Sequence, residues 1–506
     1  MRSQNTLNSR PMHTRISKGA AVMAGILMLL TGCRIPGGRS WVVPVTIDPS
    51  DLSVTPEQRE RFQNRRDRVT LQMEEGYVIL RSGEASDENR HQYRPDSYFY
   101  YLTGYDVPRS YMVLEGRSGR FTLSMPPESM RTMIYEGSTA SREEVEALIG
   151  PDRLLNDVEM HLLVDSLLRT GQTVYTDLSD RVMVEQLRQI TGGSTDSQLH
   201  SVGSLVDELR IFKDPMEIQR LQKACNITAR ALVNVLNACE PGHYEFEMES
   251  IIEGTFLEFG AAMPGFSSIV GSGPNSTILH YEQNDRMMEE GDLLLMDIGA
   301  EYGYYTADIT RTIPVSGRFT EKQRDIYSLV LEAQKQAIDA MKPGISLGEP
   351  HRVASRVITG GLYDLGLITD TTAAWQQQFY ILYPSSHYLG LDVHDVGDYG
   401  GFFAAFPRSA SADTAYGRPL EAGMVLTIEP GLYFREEGLE QLHDIFSSRV
   451  DSLELERFIE AVSPIYETYK NIGVRIEDDI LITGDGNINL SRYAPKEIQD
   501  IQQIMR

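Results

Sequence analysis

Apolar positions along this chain recur with two different periods, and the change between them divides it into parts. From about residue 56 to 190, short apolar runs such as Tyr77 to Leu80 and Tyr111 to Leu114 have the length of strands. They alternate with helical stretches such as Arg142 to Leu148, a pattern that predicts a mixed α/β unit. The segment Thr191 to Ser197 has no apolar face and is rich in turn formers, so it predicts a link, with a domain boundary near residue 200. Beyond it Asp214 is placed to cap a helix, Pro215 to occupy the first turn and Glu217 to complete a capping box. Ile218, Leu221, Cys225, Leu232 and Val235 then keep one apolar face until Pro241 and Gly242 end the run. From Gly291 onward strand-like runs dominate, including Leu293 to Ile298, Met424 to Ile428 and Val474 to Ile482.

The amino end follows another pattern. Arg2, Arg10, Arg15 and Lys18 precede a 12-residue apolar run, Gly19 to Leu30, with no acid among them. This is the form of a signal-peptide n-region and h-region, and the run is too short for a hydrocarbon core that takes about 20 apolar residues to cross. Leu30-Thr31-Gly32-Cys33 follows directly and resembles the bacterial lipoprotein box, where the signal is cut before a cysteine that becomes diacylated. That resemblance implies a signal peptide over 1–32, Cys33 as the lipid-bearing first residue, and export to the bacterial cell envelope, facing the periplasm or the surface. Residues 33–55, with Pro36, Gly37, Gly38, Pro44 and Pro49, read as a tether. The remainder divides into an amino-terminal domain, 56–200, and a second domain, 201–506.

Composition narrows the function class. With 506 residues, 41% of them hydrophobic and 24% charged, the chain can bury a large core and is neither disordered nor a polytopic membrane protein. Lys plus Arg number 47 against 72 acids, a net charge of −25 that repels polyanions and argues against nucleic acid as a partner. Loss of the leader would remove only positive charge. Cys225 and Cys239 fall on one predicted helix about 21 Å apart, too far to pair, and read as buried core thiols.

Acidic residues punctuate the apolar strands of the second domain. Asp297 ends Leu-Leu-Leu-Met, and Asp308 lies 11 residues on, past a turn marked by Gly299 and Gly303, so a hairpin would bring the two carboxylates together. His387 lies in Ser-Ser-His-Tyr-Leu-Gly-Leu-Asp-Val-His-Asp, Glu429 ends Met-Val-Leu-Thr-Ile, and Glu477 follows Gly-Val-Arg-Ile. A single carboxylate at a strand end is ordinarily a turn or cap residue; the ordered set of five is what signals chemistry.

In those motifs, namely Met-Asp-Ile-Gly-Ala-Glu-Tyr, Ala-Asp-Ile-Thr-Arg-Thr, Ser-His-Tyr-Leu-Gly, Ile-Glu-Pro-Gly and Arg-Ile-Glu-Asp-Asp, the sequence resembles the pita-bread metallopeptidases. That family includes Xaa-Pro aminopeptidase, prolidase and methionine aminopeptidase. The resemblance covers roughly residues 203 to 506 and implies an α/β (α+β) pita-bread domain with a dinuclear centre held by Asp297, Asp308, His387, Glu429 and Glu477. Four carboxylates and an imidazole are a hard donor set, suited to two divalent ions with Mn(II) the expected metal. The resemblance further implies that His280 in Ile-Leu-His-Tyr and His394 in Asp-Val-His-Asp stand on the substrate side, and that Glu429 shuttles a proton. Arg475, two residues before Glu477, would orient the ligands.

Residues 93 to 105, Tyr-Arg-Pro-Asp-Ser-Tyr-Phe-Tyr-Tyr-Leu-Thr-Gly-Tyr, look like the signature of the family's non-catalytic amino-terminal domain, although an aromatic cluster of this kind is more often core than a substrate box. Methionine aminopeptidases lack that domain. The expected activity is therefore removal of the residue that precedes a proline at the amino end of peptides, by a homo-oligomer that meets the membrane only through Cys33. Prolidase action on Xaa-Pro dipeptides is the near alternative, and a non-catalytic peptide-binding lipoprotein the alternative of another class. Two features depart from common aminopeptidases: Tyr383 stands where another His is frequent, four residues before His387, and Glu436 to Lys470 has the appearance of an insertion.

Overall fold

The computed structural model describes residues 41–46, 55–85, 93–127, 130–135, 137, 140–190, 198–406 and 416–506. The expected signal peptide, Cys33, most of the expected tether and the expected link Thr191 to Ser197 lie outside the described residues. No helix among the described residues is long and apolar enough to cross a membrane. The chain forms two compact units that divide at Leu209 and Arg210, inside the helix Gly203–Ile211 rather than at residue 200. The reason is a strand that the sequence pattern does not announce: Leu199–Ser201 pairs parallel with Val174–Thr176 and keeps the chain on the first unit's sheet.

The amino-terminal unit is built on a mixed sheet of six strands: β1 (Tyr77–Arg81), β2 (Tyr111–Glu115), β3 (Phe121–Met125), β4 (Arg153–Asn156), β5 (Val174–Thr176) and β6 (Leu199–Ser201). Their spatial order is β4-β3-β2-β1-β5-β6. β1, β2 and β3 pair antiparallel, while the outer pairings are parallel. Helices Asp157–Leu168 and Arg181–Ile190 bury Met160, Val164, Met183 and Leu187 against Ile79, Val113 and Val174. The aromatic signature is core. Asp96 caps the helix Ser97–Thr103, and Phe99, Tyr100, Tyr101 and Tyr105 are buried, with the Arg65 guanidinium 4.0 Å from the Tyr101 ring centre.

In the second unit the helix Pro215–Ala238 begins as its sequence dictates. The Asp214 carboxylate accepts from the Met216 and Glu217 amides, and Glu217 returns the bond to the Asp214 amide. Leu221, Cys225, Leu232 and Val235 are buried and Ile218 is half-buried. Cys225 and Cys239 are free and buried, as the core reading holds. Around this helix lie β7 (Met263–Pro264), β8 (Ile269–Ser272), β9 (Leu293–Ile298), β10 (Ala300–Tyr302), β11 (Tyr305–Thr306), β12 (Ile309–Pro314), β13 (Val425–Ile428), β14 (Gly431–Tyr433), β15 (Gly473–Arg475), β16 (Asp478–Ile482) and β17 (Asn487–Asn489). They form small antiparallel sheets ordered β12-β9-β8, β11-β10-β7, β13-β16-β17 and β14-β15. Helix Glu321–Ala340 packs against helix Gly348–Asp364.

Two expectations are revised here. The run Val474 to Ile482 is not one strand: its pairing changes from β14 to β13 between Arg475 and Asp478, which leaves Ile476 and Glu477 in a step. The tether reading fails for residues 41–46. Val43 is buried, Trp41 Nε1 donates to the Tyr493 carbonyl at 2.9 Å, and Asn226 and Arg230 donate to the carbonyls of Pro44 and Val43. The stretch Glu436 to Lys470, which has the appearance of an insertion, is a packed helical element, with Leu442–Phe446 and Ser452–Tyr466 placing Phe446 and Phe458 against Trp375.

Arg311 holds the sheets together from inside. Its guanidinium donates to Asp478 Oδ1 at 2.6 Å and to the carbonyls of Thr310, Glu477, Ala494 and Pro495. Burial alone would raise the Asp478 carboxyl, but Lys496 and Arg311 overcome it and hold the group far below the usual carboxylate range. Arg311→Met should therefore cost about 3–5 kcal/mol of stability, because Asp478 is left buried with one cation fewer. A depressed native pKa stabilises above the unfolded value and is lost as pH falls. Denaturant titrations should accordingly show the gap between wild type and Arg311→Met narrowing below about pH 5.

Candidate metal centre

The five expected ligands come from separate ladders that converge. β9 and β12 pair with Thr310 opposite Asp297 and Ile309 opposite Ile298, which brings Asp308, just before β12, beside Asp297. The interval between them is a nested hairpin. β10 and β11 pair Tyr302 with Tyr305 across the two-residue turn Gly303-Tyr304, and both turn residues have positive φ, 59° and 72°. Such a turn twists with the strands it joins, and glycine takes its first position without steric cost. Gly299 is needed for another reason, since a Cβ there would lie 1.8 Å from the Ala307 carbonyl oxygen.

His387 is held to β13 by two bonds: its amide donates to Thr427 Oγ1, and its carbonyl accepts from the Thr427 amide. Its Nδ1 lies 3.0 Å from the Tyr388 carbonyl, which can only accept, so Nδ1 carries the proton and Nε2 is left as the ligand nitrogen. Glu429 follows β13 directly, and the Glu477 amide donates to the Thr310 carbonyl on β12. One ligand atom each from Asp308, His387 and Glu477 lies within 4.8 Å of the others. His387 Nε2 is 3.4 Å from Asp308 Oδ2 and 3.5 Å from Glu429 Oε1. Asp297 joins them close enough to push the Asp308 carboxyl upward.

Crowding shows in the titration of these acids. Burial, followed by Asp297, Asp479 and Glu429, raises Asp308 well above the usual carboxylate range; burial, followed by Asp308, Glu429 and Asp297, does the same to Glu477. Burial raises Glu429 too, although His387 and Arg475 work against it. Asp297 Oδ1 is buried without a hydrogen-bond partner among the described residues. Closely set acids, a bare carboxylate oxygen and an imidazole with its nitrogen free are the donor set of hard divalent cations, and such a pair of ions would offset the repulsion. The residues present fit that group.

Arg475 touches the centre differently from the sequence expectation. It does not reach Glu477 along a strand face, because the strand breaks there. Instead it donates to Asp297 Oδ2 at 2.5 Å, to Thr310 Oγ1 at 3.0 Å and to Tyr433 Oη at 3.0 Å. Thr310 Oγ1 in turn donates to Glu477 Oε2 at 2.7 Å. Thr310, Thr427, Tyr433 and Asp479 are site residues that the sequence reading passed over. Three of them had a signal, since Thr310, Thr427 and Asp479 each lie two positions from a ligand and so share its side of an extended chain. Asp479 accepts from the Asp308 amide and from Cys225, and burial pushes it up to about 7.

The two further histidines lie at the open side, and both are exposed. The His394 ring sits edge-on to His387 with centres 4.4 Å apart. Partial burial, then His387 and His280, push His394 down to about 4, so it is neutral at neutral pH. Its loop is fixed from behind: Arg210 bonds both Asp392 and Asp395, and Lys213 bonds Asp395 at 3.0 Å. His280 follows the 3₁₀ turn Gly273–Thr277, and its neighbour Tyr281 donates to the buried Glu245 at 2.8 Å.

Because burial and crowding raise Asp308 and Glu477 without metal, binding of a divalent cation should expel protons. Calorimetric titration of Mn²⁺ into metal-free protein at pH 7 should give an enthalpy that changes with buffer ionisation heat in the sense of proton release. An enthalpy independent of buffer would contradict these raised pKa values.

Comparisons with known proteins agree with this geometry. Residues 219–484 match the profile described as Metallopeptidase family M24, and residues 62–175 match Aminopeptidase P, N-terminal domain. The chain is 34% identical to the Xaa-Pro aminopeptidase of Escherichia coli over 472 residues, 88% of this chain and 98% of that one. Against the Haemophilus influenzae Xaa-Pro aminopeptidase the figures are 33%, 88% and 97%. Among solved structures, E. coli aminopeptidase P with the inhibitor Pro-Leu superposes with a TM-score of 0.75 at 32% identity, covering 88% of this chain and 98% of that chain. The Pseudomonas aeruginosa aminopeptidase PepP gives 0.74 at 31%, with the same coverage. This chain belongs to the M24 metallopeptidases of the pita-bread fold, in the branch that carries the aminopeptidase P amino-terminal domain.

Proposed function

We propose that this protein is a metal-dependent exopeptidase that releases the amino-terminal residue of peptides with proline in second place. The observation that carries the reading is the convergence of Asp297, Asp308, His387, Glu429 and Glu477 on one buried site, in a chain that also carries an aminopeptidase P amino-terminal domain. Asp297, Asp308, His387, Glu429 and Glu477 would hold two divalent ions, with Mn²⁺ the metal proposed on the hardness of the donor set. When bound, such a pair would lower the pKa of a water and polarise the attacked carbonyl.

The chain's own groups supply the rest. Glu429, raised by burial and lying 3.5 Å from His387 Nε2, can accept a proton at its carboxylate and return it to the leaving proline nitrogen. His394, neutral at working pH, can donate a hydrogen bond to the oxygen on which charge builds without itself titrating, and His280 faces the same side. Arg475 and Thr310 hold Asp297 and Glu477 in place. A dedicated site suits this bond, since an Xaa-Pro amide has no N–H to offer and a fixed φ.

We further propose that the enzyme is exported and anchored through a lipid on Cys33, and that it works as a homo-oligomer; the leader pattern supports the first and family resemblance the second. Protein from residue 34 onward, supplied with Mn²⁺, should hydrolyse Arg-Pro-Pro and lose activity on chelation, with Glu429→Gln at least about 100-fold slower. Cleavage of the dipeptide Ala-Pro alone would make it a prolidase, and bound metal without turnover would favour a peptide-binding role. In cells, Cys33→Ser should move the protein from the membrane pellet to the soluble fraction; an unchanged pellet would remove the anchor proposal.

A further inference from the structure

Two phenols outside the ligand set meet beneath the metal centre. Tyr383 Oη donates to the Glu429 carbonyl at 3.0 Å and lies 2.8 Å from Tyr433 Oη. Tyr433 Oη also accepts from Arg475 Nη1 at 3.0 Å. Each phenol has one proton to give. The Glu429 carbonyl can only accept, so the Tyr383 proton is committed to it, and the contact between the phenols must then be a bond that Tyr433 donates. The donors run one way, from Arg475 through Tyr433 and Tyr383 to the main chain of Glu429. Bonds aligned head to tail strengthen one another.

The other nitrogens of Arg475 reach Asp297 and Thr310, and Thr310 passes a bond to Glu477. Space for the phenol pair comes from Gly431, where a Cβ would stand 2.5 Å from Tyr433 Oη and 2.8 Å from Tyr383 Oη. Only a residue without a side chain lets both hydroxyls close over this piece of main chain.

We infer that Tyr383 is a positioning residue of the metal centre, which through Tyr433 and Arg475 ties the backbone of Glu429 to the carboxylates of Asp297 and Glu477, so that three ligand positions are held as one unit. The inference rests on the metallopeptidase reading. A tyrosine present only to fill space would be replaced by phenylalanine without consequence; in this arrangement phenylalanine removes a link and leaves the Tyr433 hydroxyl and the Glu429 carbonyl short of a partner.

The test uses protein from residue 34 onward as wild type, Tyr383→Phe, Tyr433→Phe, the double variant and Gly431→Ala, each checked by circular dichroism for native secondary structure. Mn²⁺ binding to metal-free protein is measured by calorimetry, and kcat and KM for Arg-Pro-Pro at saturating Mn²⁺. Tyr383→Phe should bind Mn²⁺ about tenfold more weakly and lose kcat by about tenfold with KM within about twofold, as loss of an outer partner does at metal sites. The double variant should be no worse than the poorer single, since either change breaks the same chain, and Gly431→Ala should reproduce the defect with both phenols still present. Mn²⁺ affinity and kcat within about twofold of wild type for Tyr383→Phe, or losses that add in the double variant, would overturn the inference. Wild-type protein that neither binds Mn²⁺ nor cleaves the tripeptide would overturn the metallopeptidase reading instead.

Discussion

Asp297, Asp308, Glu429 and Glu477 repel one another, and in a poorly solvated site such repulsion has to be met by opposite charge or by protons. Most of the second unit can be understood as the framework that forces the four to stay together in spite of it. Hydrogen bonds between ladders fix the backbone under each acid, Arg475 is pressed against Asp297, and His387 presents a free nitrogen to Asp308 and Glu429. What the protein leaves uncompensated is the measure of what a pair of cations contributes.

The run Glu477-Asp478-Asp479 shows how finely extended backbone can sort identical chemistry. Glu477 and Asp479 share the side of the chain that faces the centre, and both are raised, Asp479 to about 7. Asp478 faces the other way, into Arg311, Lys496, Gln334 and Asn489, and is strongly lowered. Three adjacent acids thus serve opposite ends: two crowd toward the site, and the third anchors the strand that carries them. The break between β15 and β16 sets this division, since it lets Arg475 pair on one ladder while Asp478 begins another.

Much of this was legible in the sequence. The capping box at Asp214, the strand Leu293–Ile298 and the helix Arg142–Leu148 follow from local chemistry, and the structure returns them with the same bounds. The five candidate positions could be picked out together because their order and motifs are specific, although no one of them stands out alone, and the structure gathers them. What escaped were features made by distant partners. The step at Ile476 depends on which strands lie alongside, Thr310 acts only because Arg475 arrives from elsewhere, and Trp41 to Thr46, an apolar stretch inside a segment marked by proline and glycine, finds Tyr493, Asn226 and Arg230 to dock against. Proline and glycine content reports how freely a segment could move, and says little about a surface that binds it.

The nested hairpin between Asp297 and Asp308 bears on how such a protein can diverge. Side chains alternate across a strand, so one residue gained or lost within β10 or β11 would turn Asp308 toward the opposite face and out of the site. Substitutions along these strands can be absorbed one at a time, whereas a change of length by a single codon cannot. The 11-residue spacing therefore works as a distance, and the geometry asks more of its length than of most letters within it.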